Sequence, residues 1–130
     1  LETEWVKRPV IRLDMSRAGA EPETLRSYLD NIFKQYEEEY SLAPDPTDSL
    51  ADRFNAIIVG AYDQTGQQVA ILIDEYDSPL QHSRKTPQHE ACTAIYREVF
   101  AILKAEQIRE VCLHHRHHQV HANLAFLCAQ

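Results

Sequence analysis

The chain is 130 residues long, with 13 Lys and Arg against 20 Asp and Glu, a formal net charge of −7 and 44% hydrophobic residues. That length supports one domain with a sizeable core, or a piece of a larger one. The composition argues against wholesale disorder, and the acidic balance against a general nucleic-acid-binding surface. No segment approaches the roughly 18 consecutive apolar residues of a membrane span, and the start does not resemble a signal peptide. Cys92, Cys112 and Cys128 lack the close pairing of a disulfide framework, so the expected compartment is a reducing cytoplasm. The first residue is Leu1, not Met, and a fragment or trimmed chain is expected. All 20 acids lie within residues 1–110, whereas residues 111–130 hold five of the seven His and two of the three Cys. Two compositions therefore meet near position 110.

Residues 9–14, PVIRLD, alternate apolar and polar and predict a short strand. Glu21-Pro22-Glu23 opens a helix, with Pro and acid in the first turn. Leu25, Leu29, Ile32, Phe33, Tyr36 and Tyr40 then recur at helical spacing, and the stretch 41–48 with its two prolines is a loop. Ser49 followed by Asp52 predicts a second helix start, with Leu50, Phe54, Ile57, Ile58, Ala61 and Tyr62 on its buried face and Gly66 at its end. Val69–Ile73 (VAILI), closed by Asp74, is an unbroken apolar run suited to a parallel strand buried on both faces. After a loop over 77–86, Thr86-Pro87 caps a third helix through about Lys104, with Ala91, Ile95, Val99 and Ile102 inside. This alternation predicts a parallel α/β sheet with right-handed crossovers.

The chemistry concentrates in the string VAILIDEYDSPL, residues 69–80. Five apolar residues followed by Asp74 and Glu75 place two carboxylates at the carboxyl end of a strand, the edge at which open α/β sheets bind ligands. The pattern is that of a Walker B strand. An Asp there can hold Mg²⁺, a hard cation with oxygen ligands, and the adjacent Glu can activate a water for attack on a phosphate. The plainer alternative is an acidic turn after a core strand.

ILIDEYDSPL resembles the LIDEYD-x-P-[LI] signature of the bacterial AAA-ATPase-like family. Trp5 and PVIRLDMS (9–16) resemble that family's preceding strand, and Ser49–Gly66, with Leu50, Arg53-Phe54 and Tyr62-x-x-Thr65-Gly66, is similar to its SL-x-x-RF…LY-x-x-TG stretch. Ile95–Lys104 looks like the helix before the family's next strand. The resemblance covers roughly residues 5–109. It implies a partial P-loop NTPase fold of the ASCE type, a three-layer parallel sheet with crossover helices. It further implies Asp74 as the Mg²⁺-side residue (through water) and Glu75 as the water-activating one, with ATP and Mg²⁺ as cofactors of the parent protein. Tyr76, Asp77 and Pro79 belong to the signature with less defined roles: Tyr76 packing under the loop, Asp77 capping the turn or meeting a partner. Asp14 and Ser16, at the end of the neighbouring strand, are rim candidates. The family's phosphate loop, G-x-x-x-x-G-K-[ST], lies upstream of the Trp–PVI–LD segment, and Gly19, Gly60 and Gly66 do not build one. This chain alone is therefore expected to be inactive and to bind neither cofactor tightly.

The tail HHRHHQVH (114–121) invites a metal reading: His114, His117 or His118, and His121 share a face in a helix, His115 and His117 in a strand. A third reading is stronger. Shifted by one nucleotide, codons for HHRHHQVHA permit ITGITKFT, and the region from Val111 onward permits FVFITGITKFTQISLFSAL, the string the family shows after this helix. The expected organisation is thus a partial AAA-ATPase-like domain over 1–109 and an out-of-frame tail over 110–130. The competing classes are a His-rich metal-binding module and a Mg²⁺-dependent nuclease using Asp74, Glu75 and Asp77; the nuclease lacks a Lys near its acids. VAILI and the unpaired edges of a sheet cut short would favour aggregation. The coding DNA provides the check: a one-base shift near codon 110 is expected to restore an open ITGITKF-like reading, and a frame that stays closed refutes the out-of-frame origin.

Overall fold

The computed structural model describes residues 8–115 and 118–121. Strand β1 (Val10–Asp14) runs through a 3₁₀ turn (Met15–Arg17) to helix α1 (Pro22–Glu39). Helix α2 (Leu50–Thr65) and strand β2 (Val69–Asp74) follow. A short helix α3 (Ser78–Ser83) and helix α4 (His89–Phe100), continued by a 3₁₀ turn (Ala101–Lys104), lead to β3 (Ile108–His115) and β4 (His118–His121). The sheet order is β1-β2-β3-β4; the first three strands are parallel and β4 is antiparallel to β3.

Register decides what is buried. Ile11, Ile71 and Val111 form one row across the parallel strands, and Leu13, Ile73 and Leu113 the next. Alternation along a strand sends these odd-numbered side chains to one face. There they join Leu25, Leu29 and Phe33 of α1, Phe54, Ile57 and Ile58 of α2, and Ile95 and Val99 of α4 in a single core. Burying each of these aliphatic or aromatic side chains contributes about 1.5–3 kcal/mol. Two sequence expectations change here. VAILI is not buried on both faces, because Val69, Ile71 and Ile73 are buried while Ala70 and Leu72 are half-buried. The three-layer expectation becomes two layers among the described residues: the core helices all pack on the odd-numbered face, and Cys112, although buried, stands outside that core.

Helix boundaries follow local chemistry. At the start of α2 the Ser49 hydroxyl accepts from the Asp52 N–H at 3.0 Å and the Asp52 carboxylate accepts from the Ser49 N–H at 3.3 Å, a complete capping box. Gly66 ends the helix in the left-handed region (φ 68°), which costs a glycine nothing. Helix α4 is rotated from the expected face: Ala91 is exposed, and Cys92, Tyr96 and Phe100 point inward with Ile95 and Val99. The larger side chains fill the space above the sheet, with Phe100 edge-on to both Phe54 and Tyr96.

The outer edge of β1 is closed by side chains. The N–H groups of Arg12 and Asp14 donate to the hydroxyls of Tyr36 and Tyr28, both at 2.8 Å. Backbone donors at a sheet edge invite pairing with another chain, and here two phenols of α1 occupy them. Two outward N–H groups of β1 are thus occupied, while Val10 at its start stays half exposed, and β4 occupies the outer side of β3.

Between α1 and α2 lies a buried ion cluster. Arg53 donates through Nε and Nη2 to Glu37 at 2.9 and 2.8 Å and through Nη1 to Asp30 at 2.5 Å, while its guanidinium lies 5.9 Å from the centre of the Phe33 ring. The Arg53 and Glu37 side chains are only 11% and 7% exposed, so removing either partner strands a charge. The Arg53 hydrogen bond holds the Asp30 carboxyl below its ordinary value of 3.8. A lowered folded-state pKa contributes stability above the unfolded value and loses it as pH falls through the folded one. Arg53→Met is expected to cost about 3–5 kcal/mol by urea denaturation at pH 7, against under about 0.5 kcal/mol for Lys34→Ala at the exposed end of the cluster. The Asp30 contribution fades on acidification below pH 3.8 in the unmodified chain and is missing from Arg53→Met.

Candidate functional site

The same register that buries the odd-numbered residues aligns Asp14, Asp74 and His114 at the carboxyl ends of β1, β2 and β3. Asp74 therefore sits on the middle strand, as the sequence pattern requires, with a side chain 24% exposed. Its Oδ2 accepts a hydrogen bond from Nε of Arg12 at 3.1 Å and lies 3.0 Å from Nη2 in an ion pair, and its Oδ1 lies 3.7 Å from Nδ1 of His114. Neither Arg12 nor His114 stands out in the linear sequence as a partner of Asp74. Only the register brings them there.

Asp14 and Ser16 are placed together. The Asp14 Oδ1 accepts from the Ser16 N–H at 3.1 Å and from its hydroxyl at 2.6 Å, which caps the 3₁₀ turn after β1. Two carboxylates at adjacent register positions would repel. Each is compensated from its own side, Asp14 by the Ser16 donors and Asp74 by Arg12.

Glu75 is where the strand ends. Its N–H donates to the His114 carbonyl at 2.6 Å, adding one more rung between β2 and β3, and its carbonyl accepts from Ser78 at 3.0 Å. Between these two bonds the backbone takes φ 51°, a left-handed conformation that a side chain with a Cβ adopts at a cost. The strand-to-turn switch thus falls on the residue expected to activate water, and strained backbone of this kind gathers at functional sites.

The other three signature residues make contacts within the fold. The Tyr76 ring packs partly buried against the core, and its carbonyl accepts a hydrogen bond from the Tyr96 hydroxyl of α4. Burial pushes the Tyr96 hydroxyl well above its ordinary pKa of 10, so it remains a donor. Tyr96 went unnoticed in the sequence, although its position one residue after Ile95 marks the buried stripe of α4. Asp77 occupies the N-cap position of α3, yet its side chain does not cap the backbone; its Oδ2 accepts from Gln81 Nε2 at 2.8 Å. Pro79 is buried in the first turn of α3, where a missing N–H costs nothing. The loop expected over 77–86 thus contains a helix, too short to announce itself by periodicity.

No helical histidine face forms in the tail: residues 114, 115 and 118–121 are extended, with His115 paired to His118 and Cys112 to His121. His117 and residues 122–130, on which part of the metal-binding and out-of-frame readings fall, lie outside the described residues. Among the described residues no group of three or more His, Cys, Asp and Glu can hold a metal ion, which weakens the histidine reading and the Asp74–Glu75–Asp77 nuclease alike.

The donor chemistry at Asp74 still fits a magnesium ion. A partly exposed carboxylate supplies hard oxygen, and Mg²⁺ characteristically takes one or two carboxylates, keeps several waters and completes its shell with phosphate oxygens. It does not require a closed protein cage. The sequence contains no Gly-Lys pair. The backbone at Glu75 yields a prediction independent of any ligand. Glu75→Asn, which tolerates the left-handed region, is expected to raise stability by about 0.5–1 kcal/mol, and Glu75→Val to lower it by at least that much, both measured by urea denaturation.

No curated protein and no solved structure matches the chain. Among the described residues no helix is long and apolar enough to cross a membrane. The model of the AAA-ATPase-like family, whose description is "Predicted AAA-ATPase", matches residues 1–114. That match spans most of the sequence, from the segment before β1 to the register partner of Asp74 on β3, and the chain belongs to the AAA-ATPase-like family.

Proposed function

We propose that this chain carries the Walker B part of a P-loop NTPase domain whose intact parent, in the cytoplasm, binds and hydrolyses Mg-ATP. The observation that carries the reading is the position of Asp74-Glu75, at the carboxyl end of the middle strand of a parallel sheet in a member of this family. Asp74 would hold the ion through water, with Asp14 and Ser16 on the neighbouring rim. When bound, the ion neutralises negative charge on the phosphate oxygens. The task of Glu75 is to accept a proton from the attacking water and orient it. Its turned backbone, tied to β3 on one side and to α3 on the other, fixes where its side chain begins. Tyr96 holds the next carbonyl, so the Asp-Glu-Tyr turn is braced from below by α4.

The segment 1–109 is, on this reading, a partial catalytic domain, and 110–130 derives from a shifted frame. The permissive codons from Val111 onward support that origin, and the family match runs a few residues past the junction, to 114. Without G-x-x-x-x-G-K-[ST] the 130-residue chain is proposed to be inactive alone.

The test uses the full-length protein that contains the phosphate loop. Glu75→Gln is expected to lower the ATP hydrolysis rate about 10²- to 10⁴-fold while fluorescent ATP-analogue binding persists. Asp74→Asn is expected to weaken the Mg²⁺ dependence of both. Hydrolysis undiminished in Glu75→Gln would refute the assignment, as would turnover by the 130-residue chain alone.

A further inference from the structure

Asp74 lies between nitrogen groups of both flanking strands. Arg12 of β1 donates one hydrogen bond from Nε to Oδ2 at 3.1 Å and brings Nη2 to 3.0 Å of the same oxygen as an ion pair, and Nδ1 of His114 on β3 lies 3.7 Å from Oδ1, too far for a hydrogen bond. Among the described residues, charged groups near this edge include Asp14, whose Oδ1 is occupied by Ser16, Arg17, which shares the Tyr28 hydroxyl's surroundings with Asp14, and Glu75. Arg12 belongs to the same face of β1 as Asp14, one alternation back from the strand end, so its long side chain reaches forward and across to the middle strand.

A guanidinium N–H and a metal-bound water are both donors, and both seek the lone pairs of a carboxylate oxygen. With the guanidinium hydrogen-bonded through Nε and ion-paired through Nη2 at Oδ2, a hydrated cation reaches that oxygen only if Arg12 moves. Arg12 can move: its side chain is 65% exposed, and exposed ion pairs are weak and exchange readily with water. Its charge is also suited to the interval before a cation arrives, because Asp74 and Asp14 are register neighbours. Resting on the reading of Asp74 as the metal-side carboxylate, we propose that Arg12 is a built-in counter-cation, which holds Asp74 in the metal-free chain and is displaced from Oδ2 when a divalent cation binds.

Mn²⁺ alone is the probe, titrated into the full 130-residue chain with the free ion followed by electron paramagnetic resonance. Arg12→Gln is expected to bind Mn²⁺ about two- to five-fold more tightly than the unmodified chain, Arg12→Lys to fall between them, and Asp74→Asn to lose the site. Affinity unchanged or weakened in Arg12→Gln, with the site still lost in Asp74→Asn, overturns the counter-cation and leaves the metal assignment standing. Mn²⁺ binding undiminished in Asp74→Asn overturns both. A second readout needs no Arg12 variant: the Arg12 Nε–H signal in a ¹H–¹⁵N spectrum is expected to move on Mg²⁺ addition to its position in Asp74→Asn. A signal that stays in place while the Asp74 carboxyl ¹³C resonance shifts overturns the displacement.

Discussion

The register of three parallel strands is the constraint from which the rest of this structure follows. Once Ile11, Ile71 and Val111 share a row, the two-residue alternation puts Leu13, Ile73 and Leu113 in the next row facing the helices. The strand ends then fall at Asp14, Asp74 and His114. A slip of one residue on β2 would bury Asp74 and expose Ile73, which no local compensation repairs. The apolar rows and the charged row are one arrangement seen at two depths. The string LIDEYD (72–77) is thus as much a statement about which residues go under α1 and α2 as about its carboxylates.

Polar contacts then fix parts that apolar packing leaves loose. Arg53 joins α1 to α2 through Glu37 and Asp30, and its directional bonds specify how one helix lies on the other. The Tyr96 hydroxyl, reaching the Tyr76 carbonyl, does the same for the turn after β2. Both groups are far in sequence from what they hold. The Arg53 and Tyr96 side chains are both largely buried, which strengthens their hydrogen bonds relative to the same bonds in water.

Much of this was legible in the residues. The stripe Leu25, Leu29, Phe33 gave α1, Ser49 with Asp52 and Gly66 bounded α2, and the carboxylates Asp74 and Glu75 fell at the expected strand end. What escaped has a physical reason in each case. VAILI is apolar at every position, so composition could not reveal that Ala70 and Leu72 lie on the less buried side. Six residues of α3 are fewer than two turns, too few for a period to register. Ala91 and Cys92 are adjacent small residues, and a helix rotated by one position satisfies the same pattern. Arg12 and His114 meet Asp74 only through strand pairing, which no local signal carries. Strand β3 extends past the change of composition at position 110 to His115, because Val111 and Leu113 complete both core rows.

The phenols that close β1 have a consequence for how the sheet relates to any additional strand. Tyr28 and Tyr36 use the outward N–H groups of Asp14 and Arg12, and the outer rungs of β3 belong to β4. A strand that is to lie directly beside β1 or β3 must therefore arrive by exchange, breaking one set of hydrogen bonds as it makes another. The net gain is small on either side, and the rate is set by how often the resident partner lets go. The two sides differ in that step: two hydroxyls anchored on an eighteen-residue helix must be withdrawn together with their rings, whereas β4 is four residues long and can peel from one end.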